Sequence, residues 1–336
     1  MLNLNNEERR LVKEGPRPPF KVTRHWLSLL NGQKDDPLRL QVVPSPMELL
    51  VDEKELTDPL GEDQHSPLPR LVHRYQDRVV VVMTGACALY CRHCFRRRLT
   101  GDDFRSISLN EMQNIAHWLG EHNEVKEVLL SGGDPLTMQD EELLERMDIL
   151  RAVRPDLILR LATRMPVVNP DRITKSLARA LGKRGSLWTV IQCNHPREMS
   201  SQTITALKRL QKQGIPILNQ AVLLRGVNDD VTVLESLSRV LVAAGVKPYY
   251  LFQGDVAQGT GHFRVPLAQA RALVNELRGR VSGLAMPNFA VDLPAGGGKV
   301  PLAPDYVLGE EGEGLWRMRS PDGQEGLYPD PSTKEK

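Results

Sequence analysis

The stretch Arg78-Val79-Val80-Val81-Val82-Met83-Thr84-Gly85-Ala86-Cys87-Ala88-Leu89-Tyr90-Cys91-Arg92-His93-Cys94 decides how this chain is read. Its first half is a continuous apolar, β-branched run, the pattern of a strand buried on both faces. Its second half places three cysteines at C-x3-C-x2-C spacing directly behind that strand. A capping box, Ser108-Leu109-Asn110-Glu111, then opens a helix in which Leu109, Met112, Ile115, Ala116 and Leu119 recur at helical spacing.

The strand-then-helix signal repeats down the chain. Further strands are expected over 127–130, 157–162, 187–192, 216–223 and 248–253, and a short seventh over 288–291. Helices are expected over 140–153, 171–181, 201–213, 230–244 and 267–278. Six such units in a row predict an α/β fold with a parallel sheet and helices outside. They span about 200 residues, short of the roughly 250 of an eight-unit barrel. A partial (β/α)6 TIM-like barrel is therefore the first expectation and an open doubly wound sheet the second. Residues 1–75, broken by prolines such as Pro18, Pro19, Pro44 and Pro46, read as an N-terminal helical or irregular wrap. The barrel is expected over 76–283, a C-terminal extension over 284–319 and a flexible tail over 320–336.

Composition narrows the classes of function. The 336 residues carry 44 Lys+Arg against 42 Asp+Glu, a net charge of +2, which suits neither a basic nucleic-acid binder nor an acidic disordered chain. Aromatics are only 5%, too few for base-stacking platforms. The apolar runs fall short of the roughly 20 residues a membrane helix needs. The N-terminus carries no apolar signal-peptide core. A soluble, cytoplasmic globular protein, binding neither nucleic acid nor membrane, is the expectation.

Three of the four cysteines fall within eight residues, and in a reducing compartment such a cluster points to metal. Zinc completed by His93 or a distant ligand is one reading, although zinc sites usually pair two separate C-x2-4-C units. The other is a [4Fe–4S] cluster in which Cys87, Cys91 and Cys94 anchor three irons and the fourth stays open. An open iron can bind and reduce a ligand. Cys193, about a hundred residues away, reads as a partly buried bystander.

Two glycine-rich segments follow strands. Ser131-Gly132-Gly133-Asp134-Pro135 lets the backbone approach a neighbour closely, and Asp134 can accept from an ammonium. Pro294-Ala295-Gly296-Gly297-Gly298-Lys299-Val300-Pro301 is no phosphate-cradling P-loop, because neither Ser/Thr nor a helix follows the lysine. It is either a flexible linker or a loop presenting Lys299 for Schiff-base chemistry.

The cysteine loop behind the first strand of a partial barrel resembles the radical S-adenosylmethionine (SAM) enzymes. With the lysine loop, the chain resembles the lysine 2,3-aminomutases, which use SAM, a [4Fe–4S] cluster and pyridoxal 5'-phosphate. The likeness runs through Asp58-Pro59-Leu60-Gly61-Glu62, His73-Arg74-Tyr75-Gln76-Asp77-Arg78, Cys91-Arg92-His93-Cys94-Phe95-Arg96, Asn219-Gln220, Pro248-Tyr249-Tyr250 and Gly261-His262-Phe263-Arg264. It implies that Lys299 is the Schiff-base lysine and that Arg74, Tyr75 and Arg78 contact the pyridoxal cofactor. His93, Gly132, Gly133, Asp134, Asn194 and Gln220 would contact SAM. Arg96 would grip the substrate carboxylate, and Asp255 and Asp292 would receive a side-chain ammonium. Arg97 and Arg98 read as a surface basic face.

The implied activity interconverts L-lysine and β-lysine by radical 1,2-amino migration on a pyridoxal phosphate aldimine, fed by an electron donor such as flavodoxin or ferredoxin. The alternatives are the β-lysine-forming branch that serves elongation factor P and a 2,3-aminomutase of arginine or glutamate. Two aspartates favour a cationic substrate over glutamate. Where the family usually has His-Phe-Asn-His-Pro this chain has Gln192-Cys193-Asn194-His195-Pro196, which alters one nucleoside contact. The family's C-terminal cysteines are missing, so no structural zinc is expected. A homo-oligomer, dimer or tetramer, is implied. The rival of another class is a non-catalytic metal-binding module, which would not depend on Lys299.

Overall fold

The computed structural model describes residues 2–15, 18–101, 104–312 and 314–330. The N-terminal wrap holds three short α-helices, α1 (Asn6–Glu14), α2 (Arg24–Leu29) and α3 (Pro37–Leu40), and two 3-10 turns, Pro46–Leu49 and Asp63–His65. Each α-helix is started by a side-chain cap from Asn5, Thr23 or Asp36. Trp26 of α2 and Leu38 of α3 anchor the wrap in the main core, both fully buried.

The strands follow as β1 (Leu71–Tyr75), β2 (Arg78–Thr84), β3 (Glu127–Gly132), β4 (Ile158–Thr163), β5 (Leu187–Ile191), β6 (Ile217–Val222), β7 (Lys247–Phe252), β8 (Asn288–Leu293) and β9 (Gly298–Pro301). They form one sheet in sequence order. β2 to β8 pair in parallel, while β1 and β9 join antiparallel at the two edges. A doubly wound sheet reverses its strand order part-way. This one never does, so the partial barrel holds.

The main crossover helices are α4 (Leu109–Glu121), α5 (Asp140–Val153), α7 (Lys175–Gly182), α8 (Ser201–Gln211), α9 (Val231–Ala243) and α10 (Leu267–Arg280), with a single turn, α6 (Met165–Val168), after β4. The expected capping box forms: Ser108 Oγ accepts from Glu111 N at 3.2 Å and Glu111 Oε2 accepts from Ser108 N at 2.7 Å. Met112, Ile115 and Leu119 of α4 share one core with Val79, Val81 and Met83 of β2, each burial worth roughly 1.5–3 kcal/mol. Leu109, placed in that stripe from the sequence, is exposed instead.

The curl of the sheet brings its edges together. Lys299 N on β9 donates to Tyr75 Oη on β1 at 3.0 Å. Strand β1 corrects the reading of residues 1–75 as wrap alone: a two-residue turn at Gln76-Asp77 folds Leu71–Tyr75 back onto β2. The tail needs a correction as well. Val307–Glu310 (β10), Leu315–Arg319 (β11) and Glu325–Pro329 (β12) form a separate antiparallel sheet. Its last hairpin turns at Asp322-Gly323, with Gly323 at φ 90°, and Asp-Gly is a strong hairpin signal. The rest of the expected tail, 331–336, lies outside the described residues.

Candidate active site

The three cysteines occupy a short loop after β2, all as free thiols. Burial raises the Cys94 thiol to about 12, and the nearby Cys91 adds to the effect. Cys87 is pushed well up by burial, then by Asp134 and by the other two thiols. Among the described residues no three Cys, His, Asp or Glu side chains converge on one point. A cubane does not need them to, since each thiolate takes a different iron. Cys193 is fully buried rather than partly, its thiol pointing at the His195 carbonyl.

Gly132 and Gly133 press the end of β3 against this loop. Gly133 N donates to Thr84 O at 2.6 Å, and a Cβ on Gly133 would lie 2.3 Å from Ala86 O. The close approach is therefore to the cysteine loop's own backbone. Asp134, read as an acceptor for an ammonium, is already engaged. It accepts from Leu136 N and Thr163 Oγ1 on one oxygen and from Arg164 N on the other, at 2.7–3.0 Å. Burial outweighs these bonds and raises its carboxyl.

At the far edge of the sheet Lys299 sits on a strand, not in a loose loop. Gly296 and Gly298 take φ of 83° and 98°, which turns the chain back so that Lys299 is the register partner of Asp292. Lys299 Nζ donates to Asp292 Oδ2 at 2.6 Å and lies 4.0 Å from the Phe252 ring centre. Burial lowers the lysine's pKa, opposed by Asp292 and Asp255. Burial and the neighbouring Asp292 push Asp255 up to about 7, against the pull of Lys299 and Arg96. The turn before Lys299 is gripped by the Asp58–Glu62 motif and by Gln64 just behind it: Ala295 N donates to Pro59 O at 3.0 Å and Gln64 Nε2 to Ala295 O at 2.7 Å.

The cysteine loop and Lys299 share one cavity of about 420 Å³ inside the barrel. Every candidate residue read from the sequence lines it except Asn194. Asn194 is fully buried, its amide donating to Gln41 Oε1 at 3.0 Å and accepting from Val222 N at 2.9 Å. Gln192 does line the cavity, as does Gln220. Arg74, near the end of antiparallel β1, and Arg78, the first residue of β2, reach it from the N-terminal ends of the parallel strands.

Residues 81–237 match the family described as the Radical SAM superfamily, and residues 274–335 match the one described as Lysine-2,3-aminomutase. An L-lysine 2,3-aminomutase of Clostridium subterminale is 41% identical over 290 residues, covering 86% of this chain and 70% of that protein. The chain belongs to the lysine 2,3-aminomutase family. A putative L-lysine 2,3-aminomutase of Treponema pallidum, 41% identical over 310 residues, is covered to 87% and covers 91% of this chain. A glutamate 2,3-aminomutase of Clostridioides difficile is 36% identical over 310 residues, covering 92% of this chain and 73% of its own length.

A radical SAM aminomutase holds a [4Fe–4S] cluster, SAM and pyridoxal phosphate, and the cavity fits them. Arg74 Nε and Nη2 are buried without a hydrogen-bond partner, donors suited to a phosphate beside Lys299. His93 Nδ1 is likewise unpartnered between two of the cysteines.

Several functional neighbours escaped the sequence. Arg92, Arg96, Arg97 and Arg98, in and just behind the cysteine motif, each meet an acid of the N-terminal wrap. Arg92 and Arg97 share Glu48 at 2.5 and 2.6 Å, Arg96 takes Glu62 at 2.6 Å, and Arg98 pairs with Asp58 and Asp63 at 3.1 and 2.9 Å. Arg97 is thus buried, not part of a surface basic face, because Glu48 and the Gln258 carbonyl draw it inward. Nothing local in the sequence couples Glu48 to arginines over forty residues on.

Proposed function

We propose that this isomerase interconverts L-lysine and β-lysine. The observation that carries the reading is that Lys299, Asp292 and Asp255 line the same cavity as Cys87, Cys91 and Cys94. Bound there, the cluster with SAM would supply one-electron chemistry at carbon, and pyridoxal phosphate a conjugated system able to spread an unpaired electron.

The chain's own groups divide the remaining work. Lys299 supplies the amine for the pyridoxal aldehyde, its charge disfavoured by burial and its proton held against Asp292 Oδ2. Arg74, Tyr75 and Arg78 face the cavity on its phosphate side, with Arg74 offering its two unpartnered N–H groups. Gly132, Gly133, His93 and Gln220 stand at the SAM side, while Asn194 supports it through Gln41 and Val222 N rather than by direct contact. Arg96 donates to Glu62 and to Ser131 Oγ at 2.8 Å, so a substrate carboxylate would exchange with Glu62 for the guanidinium. A side-chain ammonium placed between Asp255 and Asp292 lets both carboxyls ionise, whereas a substrate carboxylate would add a third negative charge. That contrast favours lysine over glutamate.

Among the described residues no helix is long and apolar enough to cross a membrane. Cluster-binding thiols suit a reducing compartment, and we place the chain in the cytoplasm with a flavodoxin- or ferredoxin-type donor. The exposed sheet β10–β12, with Val307, Leu315, Leu327 and Tyr328 uncovered, supports a homo-oligomer. The test is anaerobic reconstitution with iron, sulfide, pyridoxal phosphate, SAM and a reductant, followed by mass spectrometry. β-Lysine from lysine is the expected product. Turnover of glutamate or arginine without lysine would overturn the substrate, and no turnover with a formed cluster would overturn the reaction.

A further inference from the structure

The residue after β4 contacts a cysteine that the cluster reading makes a ligand. Arg164 is 7% exposed, and its backbone N donates to Asp134 Oδ2 at 2.8 Å. Its Nη2 donates to Gln41 Oε1 at 2.7 Å and to Glu198 Oε2 at 2.9 Å. The guanidinium carbon lies 4.8 Å from the centre of the Trp26 ring. Its Nη1 donates to Cys91 Sγ at 2.8 Å. Glu198 is in turn fully buried and accepts from Gln41 Nε2 at 2.9 Å and Asn194 N at 3.2 Å.

These partners come from the wrap, the Gly-rich turn and the segment that follows β5, so the guanidinium has little freedom. It is aimed at one sulfur. Reducing a [4Fe–4S] cluster by one electron adds a negative charge that its sulfurs share. A fixed cationic donor in a buried setting stabilises that form more than the oxidised one. Glu198 opposes the effect, being the anion nearest to the same guanidinium.

We propose that Arg164 is a positioning residue that sets the reduction potential of the cluster through its hydrogen bond to Cys91, with Glu198 as the counterweight. The inference rests on the reading that Cys87, Cys91 and Cys94 hold a [4Fe–4S] cluster, and it goes beyond that reading by naming what tunes it.

The experiment is an EPR-monitored redox titration of the reconstituted full chain with dithionite, without lysine or SAM. Two variants are compared with wild type. Arg164→Gln/Glu198→Gln removes both ions together, so that no buried charge is left behind. It is expected to make reduction at least tenfold less favourable, 59 mV for one electron. Glu198→Gln alone keeps Arg164 and is expected to shift the potential the other way. A double variant that titrates with wild type overturns the inference. Should the double variant fail to load iron, Glu198→Gln decides: an unchanged or more negative potential overturns the inference. Failure of the wild type to form a cluster would instead sink the underlying reading, and iron content tells the two apart.

Discussion

Asp292 and Lys299 face each other across the β8–β9 hairpin as register partners, Nζ 2.6 Å from Oδ2. The contact holds a proton on an amine whose burial works to remove it. The pH at which Lys299 becomes a free nucleophile therefore lies below the ordinary 10.5 of a lysine. Imine formation with pyridoxal phosphate, followed by absorbance, is expected to rise with pH through that lowered midpoint. Asp292→Asn removes the group that raises the pKa, so its midpoint falls further. Lys299→Ala abolishes the absorbance. A midpoint that rises in Asp292→Asn contradicts the arrangement.

Asp255 makes the stability of the chain depend on pH. Its folded pKa, about 7, lies above its ordinary value of 3.8, so the native state binds the extra proton between them. Stability falls as pH rises wherever the folded form holds more protons. The ligand-free chain is thus expected to lose stability, by a few kcal/mol (about 1.4 per pKa unit), as pH rises from about 4 to 7 on account of this group. Asp255→Asn flattens that slope, measured as melting temperature against pH. A slope unchanged by the substitution would show that Asp255 is not the titrating group.

What the sequence made legible tracks how local the signal is. Val79 to Met83 announced β2 because burial on both faces demands an unbroken apolar run. β1, Leu-Val-His-Arg-Tyr, carries only two buried side chains and sits at an edge, so its pattern is too weak to stand out. Lys299 was recognisable as a residue, yet its glycines suggested a loop and concealed a strand that only pairing with β8 specifies. The acidic clasp was out of reach for the same reason. Glu48 and Glu62 meet their arginines through the path of the wrap, which no short-range pattern encodes.

That clasp has a stability consequence. Glu48 is 2% exposed and accepts from both Arg92 and Arg97. Removing one side of a buried ion pair costs about 3–5 kcal/mol. Glu48→Ala is expected to lose that much in denaturant unfolding and to reduce iron incorporation, since both arginines flank the cysteines. A change below about 1 kcal/mol, the range of exposed pairs, would count against the clasp.

The glycine-rich turn gives the most local test. A methyl on Gly133 would meet Ala86 O at 2.3 Å and Gly85 C at 2.7 Å, both backbone atoms that no rotamer change can move. Relief requires shifting the turn or the segment leading into Cys87, and neither can move alone because Gly133 N and Asp134 N are bonded to Thr84 O and Ala86 O. Gly133→Ala is therefore expected to lower the iron bound per chain after reconstitution, with far-ultraviolet circular dichroism unchanged. Gly283→Ala serves as the control, because a Cβ there meets nothing within 4 Å. If Gly133→Ala binds as much iron as Gly283→Ala, the turn does not set the position of the cysteine loop.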